Sequence, residues 1–170
     1  MTHPTANLNQ VLDSLEKLYG PQKAAGPNDP YEMILYLSCG YPATDASCSK
    51  GFDALKREIG LSPKEILAAP KGKLAKLLRL GGIVPELRAE KLKEIARLVR
   101  DEYQGDLRTA LKKSIQKDNK KPGKGFHATK KVLQEFPVIG EPGAEKIVLF
   151  SKLAPVAAVP SAFVCVPVRL

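Results

Sequence analysis

Apolar residues recur along this chain at intervals of three and four, a spacing that predicts helices almost throughout. Leu8, Val11, Leu12, Leu15 and Leu18 place one helix over Ala6–Tyr19, stopped by Gly20 and Pro21. Residues 20–30 are rich in Gly and Pro and read as a connector. Asp29 is then placed to cap a helix that opens on Pro30 and carries Tyr31, Met33, Ile34, Leu35 and Leu37. That helix is apolar nearly all round, so it belongs at the centre of the fold. Gly40 and Pro42 break it, and Thr44 or Asp45 caps the next, over Ala46–Ile59. Ser62 and Glu65 form a capping box before a short helix closed by Pro70. Leu74, Leu77 and Leu78 mark another short helix ahead of the Gly81-Gly82 turn. Leu92, Ile95, Leu98 and Val99 then define a long amphipathic one over Pro85–Tyr103.

The stretch Val132–Phe150 joins two such patterns across a very short break. Val132, Leu133 and Phe136 mark one helix; Ala144, Ile147 and Val148 mark the other. Pro137 pushes Phe136 out of the helical region, and Gly140 is expected to supply the positive φ of the corner. The second helix starts just after Gly140, so its unpaired N–H groups and positive dipole end form a phosphate-binding corner. An ordinary helical hairpin inside an all-α core fits the same residues.

Charge shifts the balance between these readings. Residues 1–60 carry 5 basic and 7 acidic side chains, and residues 61–170 the remaining 22 and 11. A basic half beside a near-neutral half points to a polyanion. Residues 112–131 hold eight lysines and one acid. A helix is expected to reach about Lys117, and Asn119–Gly125, with Pro122, Gly123 and Gly125, to form a loop. Its lysines suit sequence-independent phosphate contact. Cys39, Cys48 and Cys165, with only His3 and His127 as further soft ligands, give neither a disulfide framework nor zinc spacing. The N-terminus lacks a leader pattern and no apolar run reaches about 18 residues, so the expectation is a cytoplasmic protein with no membrane contact. At 170 residues, one domain with one core needs no metal staple.

Phe136, Pro137, Val138, Ile139, Gly140 and Ala144 resemble the helix-hairpin-helix motif of the HhH-GPD superfamily of DNA glycosylases, to which endonuclease III belongs. The usual motif reads Leu-Pro-Gly-Val-Gly, then three variable residues, then Ala, so Val138 replaces its first Gly. Leu37, Ser38, Ala43, Thr44 and Asp45 are similar to a second family segment, and Gly82, Ile83, Arg88, Ala89 and Lys91 to a third. The resemblance covers about residues 29–170. It implies an all-α multi-helix bundle on a helix-hairpin-helix glycosylase core, with residues 1–28 as an N-terminal helix and connector. It also implies a DNA partner, with Pro137, Val138, Ile139, Gly140 and Gly143 as contact residues, to which the lysine charge adds Lys120, Lys121, Lys124, Lys130 and Lys131 as phosphate contacts. The family's gap-filling Gln has no counterpart here, and Tyr41 is the aromatic beside its place, able to wedge into DNA or to sit half-buried in a loop.

The family's chemistry is not carried over. Its lyase members place a Lys, the Schiff-base nucleophile, where this chain has Pro142. The supporting Asp of a later Val-Asp-Ser/Thr segment is replaced by Pro160, between Val159 and Ser161. Lys146 lies one turn beyond Pro142, a displacement of about 5.4 Å, and is the weak substitute. Family members continue into further helices, often with four cysteines around an iron-sulfur cluster. Here Pro155, Pro160 and Pro167 disfavour a long terminal helix and Cys165 stands alone, so no cluster is expected. The expectation is a monomeric DNA-binding protein of base-excision-repair type without the catalytic pair. An active glycosylase using other residues, and a helical interaction module, are the alternatives.

Overall fold

Capping and apolar periodicity set the helices, and their packing then follows from one buried element. The computed structural model of the chain describes residues 7–41, 43–120 and 126–159. Among these it contains nine α-helices and no strand: α1 (Leu8–Tyr19), α2 (Pro30–Gly40), α3 (Asp45–Glu58), α4 (Pro63–Ala68), α5 (Lys71–Leu78), α6 (Pro85–Tyr103), α7 (Leu107–Asn119), α8 (His127–Gln134) and α9 (Glu141–Phe150). The caps read from the sequence are present. The Asp29 carboxylate accepts from the N–H groups of Tyr31 and Glu32 at 3.0 and 3.1 Å. The Thr44 hydroxyl accepts from Ser47 N–H at 3.3 Å, and Ser62 and Glu65 form the reciprocal box.

Helix α2 is buried along nearly its whole length, from Pro30 to Gly40 with only Glu32 partly exposed. It packs against α3, α6, α7 and α9, and the core closes around Met33, Ile34, Leu35, Tyr36 and Leu37. Tyr36 lies edge-on to Phe52, and its hydroxyl donates to the Asp45 carbonyl at 2.9 Å, locking α2 to the start of α3. The helix runs through Gly40, beyond the expected break. A Cβ at Gly81 would sit 2.2 Å from the Cys39 carbonyl oxygen, so only glycine lets the turn after α5 close over the end of α2.

The lysine-rich stretch is more helical than its composition suggests. Helix α7 continues to Asn119 and α8 begins at His127, so Lys112, Lys113, Lys117, Lys130 and Lys131 all lie on helices. Asp118 is the reason: its carboxylate accepts from Ala128 N–H, Thr129 N–H and the Thr129 hydroxyl at 2.9, 3.0 and 2.8 Å. One side chain thereby caps α8 from the preceding helix. Lys121 and Lys124 lie outside the described residues, as do Pro160 and Cys165.

The corner between α8 and α9 departs from the sequence expectation. Gly140 has φ −89° and ψ −175°, an extended conformation open to any residue. The positive φ, +67°, belongs to Val138. Ile139 N–H donates to the Phe136 carbonyl at 3.2 Å, closing a β-turn with Pro137 at its second position and Val138 at its third. Pro at the second position and a positive φ at the third is the type II pattern, which asks for glycine where this chain has a β-branched residue.

Val138→Gly is therefore expected to raise stability. Relief of a β-branched residue at positive φ is worth about 1–3 kcal/mol, of which the extra freedom of glycine in the unfolded chain returns about 0.4–1 kcal/mol. Gly140→Ala should change little, because a Cβ there meets only Pro142 Cδ at 3.9 Å. Urea titration of both variants checks this; a less stable Val138→Gly protein would contradict the turn assignment.

Candidate nucleic-acid interface

The hairpin is built on a buried base and an exposed tip. Phe136 stacks on Tyr103 of α6, with ring centroids 5.8 Å apart and planes 26° from parallel. The Tyr103 hydroxyl donates to Glu135 at 3.0 Å, and burial together with this bond pushes the phenol up to about 12. Ile139 is buried below the turn and Gly143 lies against it, with Ile139 Cγ2 3.6 Å from where a Gly143 Cβ would be. Pro137 is half-buried, while Gly140 and Val138 are exposed, the latter at 60 %. No side chain caps α9, so the amides of Glu141 and Gly143 are left for an outside acceptor.

Charges at this tip are internally paired. Lys130 Nζ lies 2.6 Å from Glu141 and 3.4 Å from Glu145, and its side chain is only 18 % exposed. The pairing holds the Glu141 carboxyl below its usual range and raises Lys130. Lys130 is thus engaged with α9, whereas Lys120 and Lys131 are exposed.

Beside the tip lies an apolar rim. Tyr41, Ile83, Val84, Leu87 and Val138 surround a groove of about 200 Å³ that also touches Ser38, Arg88 and Lys91. Ile83 is 79 % exposed. Arg88 ties the rim together: its guanidinium donates to the carbonyls of Ile83, Ser38 and Tyr41 at 2.8, 2.9 and 3.3 Å. Val84 has φ +56° directly before Pro85, so two β-branched residues in left-handed conformation flank one groove. Strain of this kind persists where the surrounding structure imposes it, and concentrates at binding sites. Sequence reasoning placed Tyr41 here but missed the roles of Ile83, Val84 and Leu87. The signal was present in Gly-Gly-Ile-Val-Pro, a turn sequence that carries two large apolar residues.

The positions where the family keeps its chemistry are occupied as follows. Pro142 stands half-buried in the first turn of α9. One turn on, Lys146 Nζ is 2.9 Å from the Asp45 carboxylate and 5.3 Å from the centre of the Phe150 ring, with its side chain 19 % exposed. The pair clamps α9 to the start of α3, and an amine engaged with a carboxylate is not a free nucleophile. Cys39 and Cys48 are buried thiols whose pKa values are raised by burial. Among the described residues no group of three His, Cys, Asp or Glu is arranged to hold a metal, and no helix is long and apolar enough to cross a membrane.

This bundle, with a helical hairpin beside the buried end of its central helix, is the all-α fold of endonuclease III. The chain superposes on the structure of a non-covalent endonuclease III–DNA complex with a TM-score of 0.67, at 19 % identity, over 91 % of this chain and 63 % of that one. It superposes equally on a trapped endonuclease III–DNA covalent intermediate, an estranged-adenine complex, with a TM-score of 0.66 at 19 % identity, over 92 % and 66 %. The chain thus spans just under two thirds of the length of either. No protein-family model and no curated protein matches the sequence.

The Asp118 clamp makes a pH-dependent contribution. Burial raises its carboxyl, but the Ala128 and Thr129 amides and the Thr129 hydroxyl outweigh this and lower it. A lowered folded pKa stabilises above the unfolded value of about 3.9, and the contribution is lost as pH falls through the folded value. Asp118→Asn should cost about 1 kcal/mol at pH 7, the typical loss of a cap, and the difference from wild type should shrink below about pH 3.9. Thermal unfolding of the two proteins between neutral and acid pH measures it; a difference unchanged by pH would rule the clamp out as a charged cap.

Proposed function

We propose that the chain is a DNA-binding protein of the base-excision-repair type, acting as a monomer in the cytoplasm, that lacks the lyase chemistry of the endonuclease III-like enzymes it resembles. The observation that carries this reading is the convergence of the uncapped, exposed hairpin tip and the apolar rim on one groove, with Val138 belonging to both. Amides of the tip and the lysines at 120, 121, 124 and 131 hold phosphates; Tyr41 and Ile83 meet the stacked bases, as apolar side chains do when they enter a minor groove. Two fold neighbours solved with DNA support DNA as the partner.

Loss of chemistry rests on position. Pro142 has no nucleophile, Glu141 and Glu145 are tied to Lys130, and Lys146 is tied to Asp45. An active enzyme would have to release one of these pairs. The pair of greatest interest is Lys146 with Asp45, because Lys146 is the amine nearest in sequence to the family's lysine position.

Duplex affinity should fall with salt with a log–log slope of about −3 to −4, as for three to five neutralised phosphates. Glu141→Gln should tighten binding about two- to fivefold, since it removes a negative charge from the anion-binding amides and frees Lys130 for phosphate. Fluorescence anisotropy across about 50–200 mM salt tests both; salt-independent binding, or weaker binding by the glutamine variant, would remove the proposed surface.

Incubation with abasic duplex and borohydride should trap no adduct above the background of flexible surface lysines. An adduct mapped to Lys146, and lost in Lys146→Gln, would make the protein a lyase with a displaced nucleophile.

A further inference from the structure

Helix α7 carries an outer face of one charge sign. Leu107, Leu111 and Ile115 bury its inner side, which packs on α2, α6 and α8. At about 100° per residue the opposite side presents Thr109, Lys112, Lys113, Gln116, Lys117 and Lys120, all exposed. No acid shares this side with them. Asp106 caps the helix, accepting from the Thr109 N–H and hydroxyl at 3.0 and 2.6 Å, and Asp118 is turned to the start of α8.

Exposed bases on the neighbouring helices are paired: Lys71 with Glu90, Arg79 with Glu86, Lys91 with Glu94 and Arg100 with Asp101. Among the described residues none of the four α7-face lysines enters an ion pair. Lys113 and Lys117 stand four residues apart and Lys117 and Lys120 three, spacings at which like charges on a helix repel. That repulsion is relieved when an anion lies along the face.

We infer that this face is a second phosphate track, on which the backbone of duplex DNA lies; the inference rests on the DNA-binding reading above. From Lys112 to Lys120 the helix rises about 12 Å, room for about three phosphates of one strand at about 3.4 Å each. Lysine meets phosphate as a point charge, and Thr and Gln side chains also bond phosphate oxygens. An acidic peptide is better matched by arginine forks and a pocket for an anchoring side chain. A membrane surface calls for large apolar side chains among the bases, and none is exposed between Lys112 and Lys120. Asp118 holds α7 to α8, the helix that leads into the hairpin, so the track is anchored next to the first contact.

Amine acetylation of the full chain, with and without a random-sequence duplex at low salt, tests the track by mass mapping. Lys112, Lys113 and Lys117 should be shielded roughly threefold or more by the duplex, while Lys64 on α4 and Lys76 on α5 react at their free rate. Combined Lys112→Gln, Lys113→Gln and Lys117→Gln should leave the melting temperature unchanged and flatten the log–log salt slope by about 2, about half of the slope expected above. Removing the same number of charges as Lys64→Gln, Lys76→Gln and Arg97→Gln should leave the slope as it is. If Lys131 is shielded but the α7 lysines react as in the free protein, the track is overturned and the hairpin contact stands. Absence of any duplex binding overturns both. Equal shielding by polyglutamate of matched charge, or equal flattening by the control variant, would also overturn the track, reducing the face to its share of net charge.

Discussion

Removal of helix α2 from water is the constraint on which the rest of the molecule depends. Its residues are apolar on every side, so no single partner helix can cover them, and α3, α6, α7 and α9 each take a share. Because α2 is surrounded, its C-terminal end is an anchor of fixed position. Tyr36 fastens α3 to it, Gly81 lets the following turn close over it, and Arg88 draws the carbonyls of Ser38, Tyr41 and Ile83 together around it. The apolar rim of the candidate interface is a by-product of how that end is sealed.

The electrostatics of the interface follow a similar economy. Around the hairpin, acids and bases are mostly spent on each other: Lys130 on Glu141 and Glu145, Lys146 on Asp45. Such pairs add little stability at an exposed surface. They do determine which charges stay exposed, among them Lys120 and Lys131. The Asp118 clamp ties the end of α7 to the start of α8, the helix that leads into the hairpin.

Two β-branched residues in left-handed conformation, Val84 and Val138, border the same groove. Each would be relaxed by glycine, and each instead projects an apolar side chain where glycine would leave a gap. The arrangement exchanges local backbone strain for exposed apolar surface.

Much of the fold was legible in the sequence because the features that define it are local. Asp29, Thr44 and the Ser62–Glu65 box act within three residues, so their caps could be read directly, and the boundaries of α6 followed from Pro85 and the apolar period. The all-round apolar character of α2 placed it at the centre for the same reason. The interface was legible only in part. Which corner residue takes the positive φ was hidden by a valine standing where the turn asks for glycine, and Gly140 was the natural but mistaken choice. The pairing of Lys130 with α9, of Lys146 with a carboxylate 101 residues away, and of Arg88 with carbonyls 47 and 50 residues away arises only when distant segments pack. Local sequence determines how each helix begins, ends and faces the core; only the tertiary structure decides which charges remain free, because that depends on partners the chain brings together from far apart.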